Sequence, residues 1–371
     1  MGSVPTEPTL FQPVRVGNIT LSHRIVLAPL TRFRANSSHE HTDIAVEYYG
    51  QRASLPGSLL ITEATFISAK EGLYPNVPGI YTDKQVEAWK KIVEAVHAKG
   101  SYIYLQLWAL GRAASIEQLE KEGLPDAYAS ASDVQLSSRA KPPRPLTLDE
   151  IRQFIKDYAT AASNAVHRAG FDGVEVHCAN GYLPDQFMQD VTNKRTDEYG
   201  GSVAARSKFA LDVIKAVTEV VGEDRVGLRI SPWGTFNDMR MSTPEKIVEQ
   251  FTYFLTTLKT THPNLSYLHV VEPRATGSET VENPPEGDNN DFVRAVWAPK
   301  PLISAGGYTR ELALEVAETK GDLVAFGRAY ISNPDLPLRI IKDIPWTPPN
   351  RSTFYTPEDP KGYVDYEFAK L

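Results

Sequence analysis

Short apolar runs alternate with amphipathic segments along most of the chain. Eight of the runs have the length of buried strands, and most of the segments between them repeat apolar residues at helical spacing. The apolar runs lie at 24–28, 58–66, 102–108, 173–177, 225–231, 265–271, 301–305 and 323–326. Repeated strand–helix units of this kind predict an α/β protein with a parallel sheet.

The segments between the strands carry helix start and stop signals. Thr147 and Glu150 have the spacing of a capping box, and the helix that they start is predicted to end at Gly170. The segment 207–221 is predicted to be a further helix, and Pro244 stands where the first turn of another helix begins. These signals separate the strands by helices, as βα units require.

Eight such units favour a closed (β/α)8 TIM barrel with one continuous core. The competing architecture is an open, doubly wound sheet. No Gly-x-Gly-x-x-Gly follows the first strand, which counts against that alternative. We therefore predict that residues 1–371 form one domain. The Pro-rich segment 111–147 and the Gly-, Asn- and acid-rich segment 275–290 are interpreted as excursions over the barrel mouth.

Composition and charge exclude several classes of protein. The 371 residues carry a formal net charge of −7, whereas a general nucleic-acid binder needs a basic surface. Cys178 is the only cysteine, so no intrachain disulfide and no cysteine-based zinc site can form. No apolar run approaches the roughly 20 residues that span a bilayer, and the chain begins without a signal-peptide pattern. We expect a cytoplasmic enzyme, a monomer or homodimer, with neither a membrane nor a nucleic-acid partner.

A polar group follows the fourth predicted strand. Glu175 and His177 alternate with valines along this strand, and Asn180 and Tyr182 come just after it. In a barrel, the C-terminal strand ends form one rim, where active sites are found. An imidazole, an amide and a phenol together could hold a carbonyl oxygen and deliver a proton. The alternative is a core histidine followed by an Asn-Gly turn.

The seventh and eighth strands end in glycines. Gly306 and Gly307 follow the seventh, and Gly327 precedes Arg328 after the eighth. Backbone N–H groups at these strand ends hold phosphate in many barrels, and a guanidinium adds a charge with bidentate geometry. A phosphorylated ligand is therefore predicted. The alternative is that the glycines are ordinary turn residues.

Two further strands place polar side chains toward the barrel mouth. Gln106 and Trp108 share one face of the third strand, and Arg229 lies on the fifth. A buried guanidinium needs an acceptor, and Glu175 on the neighbouring strand would give a structural ion pair. The functional interpretation is a cation beside a flavin ring, which gains negative charge on reduction. Gln106 would then suit the uracil-like edge of that ring.

At this point the motifs resemble those of the old yellow enzymes, FMN-dependent ene-reductases on a (β/α)8 barrel. The resemblance extends over nearly the whole chain, is densest between residues 177 and 202, and suggests a fungal member. Its motifs are LFQPVRVGN at 10–18, APLTR at 28–32, QLW at 106–108, HCANGY at 177–182, DQF at 185–187, RTDEYGGS at 195–202, RISP at 229–232, AGG at 305–307, FGR at 326–328 and SNPDL at 332–336.

The resemblance implies a role for each matching residue. The cofactor-binding set is Pro29, Leu30, Thr31, Ala64, Gln106, Arg229, Gly306, Gly307, Gly327 and Arg328. The substrate-binding set is His177, Asn180, Trp108 and Tyr355, and Phe354 belongs to the same C-terminal aromatic pair as Tyr355. NADPH, or less favourably NADH, would reduce FMN. An α,β-unsaturated carbonyl compound would then accept hydride at its β-carbon while His177 and Asn180 bind its oxygen, and Tyr182 would protonate the α-carbon.

Three alternatives stay open. The first is a metal-assisted hydrolase that uses His177, Asp185 and Asp190, whose spacing is poor for one metal ion. The second is a flavin binder without activity, which the presence of His177, Asn180 and Tyr182 disfavours. The third is a dedicated secondary-metabolite step, such as chanoclavine-aldehyde reduction in alkaloid synthesis. In that subgroup, replacement of the tyrosine switches reduction to isomerisation, so Tyr182 predicts a true reductase.

Overall fold

The computed structural model describes residues 7–370, and eight parallel strands of its central sheet form the barrel. The strands are β1 Ile25–Leu27, β2 Leu59–Ile61, β3 Tyr102–Trp108, β4 Gly173–Cys178, β5 Val226–Ile230, β6 Tyr267–Val271, β7 Leu302–Ala305 and β8 Leu323–Phe326. Each strand pairs with the next along the chain, and β8 pairs with β1. The sheet is closed, which confirms the predicted (β/α)8 barrel, and the open-sheet alternative is wrong.

Helices connect the strands and cover the outside of the barrel. They are α1 Asp43–Arg52, α2 Asp83–His97, α3 Ile116–Lys121, α4 Leu148–Ser163, α5 Leu183–Met188, α6 Val203–Val221, α7 Pro244–Thr261, α8 Asp291–Trp297, α9 Arg310–Lys320, α10 Arg328–Ser332 and α11 Leu336–Lys342. Within the described chain, no helix is both long and apolar enough to cross a membrane.

The capping box predicted at α4 is present. The Thr147 hydroxyl accepts a hydrogen bond from the Glu150 N–H at 3.2 Å, and the Glu150 carboxylate accepts one from the Thr147 N–H at 2.9 Å. The helix continues as a π-helix over Asn164–Ala169 and ends at Gly170, whose φ of 87° is left-handed. The whole predicted helix is therefore present, with a change of winding near its end.

Two element boundaries differ from the sequence prediction. The predicted strand 58–66 is divided into β2 and a short strand, Thr65–Phe66, because the chain leaves the ladder around buried Glu63. Helix α6 starts at Val203, earlier than 207, because the Ser202 hydroxyl caps it by accepting from the Ala205 N–H at 3.1 Å.

Most of the core lies between the barrel and the helices. Val174 and Val176 of β4 belong to a buried cluster that also contains Tyr158 of α4 and Val213 of α6. A second cluster fills the N-terminal end of the barrel, where the hairpin of Val14–Val16 and Ile19–Leu21 packs against it. The C-terminal end of the barrel surrounds a cavity.

The two predicted excursions follow β3 and β6 at that C-terminal end. Segment 111–147 contains α3 and a small parallel sheet of Ala129–Ser130 and Arg144–Pro145. Segment 275–290 begins with an antiparallel hairpin of Ala275–Thr276 and Glu279–Thr280. The expected domain, 1–371, also includes residues 1–6 and 371, which lie outside the described residues.

Candidate active site

A cavity of about 900 Å³ opens at the C-terminal ends of the barrel strands. Its volume is typical of pockets that hold cofactors and small ligands. The structure brings every residue that the sequence predicts for the site to the wall of this cavity. These residues are Pro29, Leu30, Thr31, Ala64, Gln106, Trp108, His177, Asn180, Tyr182, Arg229, Gly306, Gly307, Gly327, Arg328 and Tyr355.

Alternation along the strands decides which of these side chains reach the cavity. Gln106 and Trp108 are two residues apart on β3 and share its inner face. Glu175 and His177 share the inner face of β4 in the same way, and Arg229 of β5 stands opposite His177 in the parallel register. Neighbouring strands thus place an amide, an imidazole and a guanidinium side by side.

His177 is held as a neutral hydrogen-bond donor. Its Nδ1 accepts a hydrogen bond from the Ala179 N–H at 3.3 Å, so the proton of a neutral imidazole resides on Nε2. Burial, followed by the positive charge of Arg229, lowers the pKa of His177 well below its usual value. The imidazole therefore carries no charge at physiological pH and has one N–H to donate.

The loop that carries Asn180 is fixed by its backbone. Asn180 has a left-handed φ of 57°, its N–H donates to the Ser231 hydroxyl at 2.7 Å, and its carbonyl oxygen accepts from Asn237 Nδ2 at 2.9 Å. The next residue is held on both sides, since the Gly181 N–H donates to the Asp185 carboxylate at 2.9 Å and its carbonyl oxygen accepts from the Gln186 amide at 2.7 Å. Four side chains therefore set where the Asn180 carboxamide can lie.

Tyr182 is an un-ionised phenol beside His177. Its ring lies 4.8 Å from that of Trp108 and 5.0 Å from that of His177, measured between centroids, and both pairs meet edge to face. Burial, then the neighbouring Tyr74 and Tyr355, raise the pKa of Tyr182 well above its usual value. The hydroxyl thus keeps its proton and can act as an acid.

The acidic residues of the metal-hydrolase alternative are engaged elsewhere. Asp185 is fully buried and holds Gly181 and Gln189, and Asp190 pairs with Lys246 at 3.0 Å. These contacts do not direct the two carboxylates toward a common point with His177.

The Arg229–Glu175 ion pair considered from the sequence is not formed. In the part of the chain that is described, no carboxylate oxygen lies within 4.0 Å of the Arg229 guanidinium. Glu175 instead accepts from Gln106 Nε2 at 2.7 Å and from His269 Nδ1 at 2.9 Å. Arg229 faces the cavity, and its buried Nε has no partner among residues 7–370.

The glycines after β7 satisfy a backbone requirement. Gly306 and Gly307 have φ values of 134° and 61°, which residues with a side chain adopt at a cost. Gly327 has an ordinary negative φ, but a Cβ there would lie 3.1 Å from a methyl group of Leu30. Arg328 begins α10 at the same edge and donates to the Thr280 hydroxyl at 2.5 Å. Two glycine turns and a guanidinium therefore meet, as a phosphate site requires.

Sequence reasoning missed several aromatic residues of the cavity. Phe33, Tyr74 and Phe236 line it, and Phe33 contacts Tyr355 edge to face at 5.6 Å. Each of the three lies in a connection that follows a barrel strand. An aromatic residue shortly after a strand end was the available signal, but only the fold shows that these connections bend inward.

The polar groups of the cavity fit the two ends of a flavin mononucleotide. Arg229 offers a buried N–H that has no partner within the described chain, and Gln106 offers an amide to the same cavity. A ring that gains negative charge on reduction would meet the guanidinium of Arg229. A phosphate would meet the glycine turns and Arg328, which line the same cavity. This combination defines a class, the barrel oxidoreductases that hold a flavin.

The chain belongs to the NADH:flavin oxidoreductase / NADH oxidase family, whose sequence profile matches residues 9–346. It is similar to the chanoclavine-I aldehyde reductase of Penicillium roqueforti, with 51% identity over 97% of this chain and 96% of the relative. Enoate reductase 1 of Kluyveromyces lactis is 40% identical over 97% and 94% of the two chains. The crystal structure of Old Yellow Enzyme from Pichia sp. AKU4542 superposes with a TM-score of 0.89, at 41% identity over 97% and 94%.

These matches confirm the resemblance to the old yellow enzymes and to their fungal members. The protein is an NAD(P)H-dependent flavin oxidoreductase on a (β/α)8 barrel.

Proposed function

We propose that the protein is an FMN-dependent ene-reductase that uses NADPH to reduce carbon–carbon double bonds conjugated to a carbonyl group. One observation carries the proposal. A neutral imidazole, a carboxamide and a neutral phenol, from His177, Asn180 and Tyr182, line the same cavity as Arg229, whose Nε lacks a partner in the described chain.

The residues that would hold FMN fall into two groups. Gly306, Gly307, Gly327 and Arg328 would bind the phosphate through backbone N–H groups and the guanidinium. At the ring, Gln106 would bind the pyrimidine edge, Arg229 the N1 and O2 locus, and Thr31 the O4 region, with Pro29, Leu30 and Ala64 lining the ring. When bound, FMN takes up reducing equivalents from NADPH and supplies hydride to the β-carbon of the substrate.

The protein's own part in the reaction is to bind the substrate oxygen and to supply a proton. The His177 Nε2–H and the Asn180 side-chain amide would donate hydrogen bonds to the carbonyl oxygen, which gains charge as the β-carbon is reduced. Tyr182 would then protonate the α-carbon as a general acid. Trp108 and Tyr355 would contact the rest of the substrate from the cavity wall.

The test is direct. The protein is purified, its chromophore is released and identified, and turnover of 2-cyclohexenone is measured with NADPH and with NADH. Released FMN, formation of cyclohexanone and a higher kcat/KM with NADPH are expected. A protein that binds no flavin would contradict the proposal. So would a flavoprotein that oxidises NADPH but leaves the enone unchanged.

A second candidate is the reduction of chanoclavine-I aldehyde, favoured by the 51% identity to the enzyme named for that activity. The two candidates share their cofactor and site residues and differ in substrate. Comparing kcat/KM for chanoclavine-I aldehyde with that for 2-cyclohexenone separates them. A preference of several orders of magnitude for the aldehyde would favour the dedicated role.

Cellular location and assembly are two further parts of the proposal. We place the protein in the cytoplasm as a monomer or homodimer. Microscopy of a fluorescent fusion and size-exclusion chromatography with light scattering test these two statements.

A further inference from the structure

Glu175 is a fully buried carboxylate below the candidate flavin site, and the reaction described above does not use it. It lies on β4, opposite Gln106 of β3 and Gly227 of β5. One carboxylate oxygen accepts from Gln106 Nε2 at 2.7 Å, and the other accepts from His269 Nδ1 at 2.9 Å. Glu175 therefore joins side chains of three strands in the interior of the barrel.

These contacts fix the orientation of the Gln106 amide. An ionised carboxylate can only accept hydrogen bonds, so the NH2 group of Gln106 must face Glu175. Its carbonyl oxygen must then face the other way, and Gln106 itself lines the cavity. The amide thus presents an acceptor to the cavity, which suits an N–H donor on the edge of a bound ring.

His269 supports the same arrangement. Its side chain is buried, and burial lowers the pKa of His269 below its usual value. The neutral imidazole donates through Nδ1 because its partner accepts only. Burial alone would raise the pKa of Glu175, but His269, Arg229 and Gln106 together hold it below its usual range. Glu175 is therefore negatively charged.

The charge of Glu175 also opposes that of Arg229. Both groups are in the barrel interior without a direct ion pair, and the negative charge of Glu175 acts to raise the pKa of Arg229 against the effect of burial. In a medium of low dielectric constant, unit charges separated by several ångströms still interact appreciably. The positive electrostatic potential at the edge of a bound flavin ring is thus smaller than Arg229 alone would give.

We propose that Glu175 is a positioning residue with two effects on the flavin: it orients the Gln106 amide, and it holds the reduction potential down by offsetting the charge of Arg229. This inference rests on the proposed flavin function. It adds that the potential is set partly by a carboxylate that lines no part of the cavity.

Two variants separate the effects. Glu175→Gln removes the charge and leaves one acceptor oxygen for two donors. Glu175→Asp keeps the charge but shortens the reach to Gln106 and His269. Asp335→Asn is the matched control, because it alters another buried carboxylate, which pairs with Arg339 at 2.7 Å away from the residues that line the cavity. The measurements are the midpoint potential of bound FMN, by dye-coupled reduction, and the dissociation constant of FMN.

In Glu175→Gln, the ratio of reduced to oxidised FMN at a fixed solution potential should rise about tenfold. This change corresponds to a rise of about 30 mV in the midpoint potential of a two-electron couple. FMN should bind about 2- to 10-fold more weakly, the range expected for one displaced hydrogen bond. Glu175→Asp should show the weaker binding with an unchanged midpoint potential, and Asp335→Asn should change neither quantity.

An unchanged potential in Glu175→Gln, with FMN bound, would overturn the charge effect, and unchanged FMN affinity in both Glu175 variants would overturn the orienting effect. If Glu175→Gln does not fold, Glu175→Asp still tests the orienting effect, and the FMN affinity of Gln106→Leu tests whether the amide contributes at all. A wild-type protein without flavin would instead reject the proposed function, so the two failures are distinguishable.

Discussion

The substitution His177→Phe tests how the site binds the substrate oxygen. Phenylalanine keeps an aromatic ring beside Tyr182 and removes both imidazole nitrogens. Because Nδ1 already accepts from the Ala179 N–H at 3.3 Å, the donor lost to the substrate is the single Nε2–H. Loss of one donor to a developing oxyanion costs about 2.7–4 kcal/mol, so the rate of enone reduction should fall about 10²- to 10³-fold.

The assay is the oxidation of the NADPH-reduced protein by 2-cyclohexenone in an anaerobic stopped-flow instrument. Reduction by NADPH and the FMN content should change much less than the enone step, because His177 would act on the substrate oxygen. The ratio of wild-type to variant rates should also stay constant between about pH 6.5 and pH 9. Since the pKa of His177 lies well below its usual value, the imidazole is neutral over this whole range.

Using a ratio removes the effect of other groups that titrate in the same range. If catalysis needed an imidazolium, the ratio would decrease tenfold per pH unit above the pKa of His177. That result, or a variant rate within threefold of wild type, would refute the reasoning.

Three further predictions concern other parts of the site. Tyr182→Phe should slow the oxidation of reduced FMN by the enone about 10²- to 10⁴-fold and leave reduction by NADPH intact, because only the general acid is lost. Equal stopped-flow rates of the enone step in wild type and Tyr182→Phe would count against this role. Arg328→Ala should weaken FMN binding about 10- to 150-fold in a titration of the flavin-free protein, the effect of losing a charged hydrogen bond, and unchanged affinity would remove Arg328 from the phosphate site. Burial raises the pKa of Asp185 from 3.8 to about 7. Between these two pH values, Asp185 keeps its proton in the folded protein and releases it in the unfolded chain. The contribution of Asp185 to stability therefore falls as the pH rises from about 4 to about 7. In denaturant titrations, the free energy of unfolding should therefore fall less between about pH 5 and pH 8 in Asp185→Asn than in wild type. If it changes equally with pH in the two proteins, Asp185 is already ionised in the folded state.

The barrel could be predicted because its signals are local. Each strand is a short apolar run, and the helices between the strands begin at caps such as Thr147 and end at glycines such as Gly170. The break within 58–66 was not predictable in the same way. It depends on buried Glu63, which Tyr49 and the Arg32 N–H contact from distant parts of the chain.

Some residues of the candidate site could likewise be predicted from the sequence, and others could not. Residues at strand ends, such as His177 and Arg229, were predictable because a closed barrel brings all strand ends to one rim. The contact between Glu175 and His269 was not predictable, since it joins β4 to β6 past the intervening β5. Aromatic residues of the connections, such as Tyr74 and Phe236, reach the cavity only through packing that a linear pattern does not encode.

A single turnover of the wild-type protein shows whether the reduced flavin passes its reducing equivalents to an enone. The purified protein is reduced with one equivalent of NADPH under anaerobic conditions and mixed with 2-cyclohexenone, while the flavin absorbance and the products are followed. We predict rapid return of the oxidised flavin absorbance with one equivalent of cyclohexanone per flavin. A colourless protein, or a reduced flavin that the enone does not reoxidise, would contradict it.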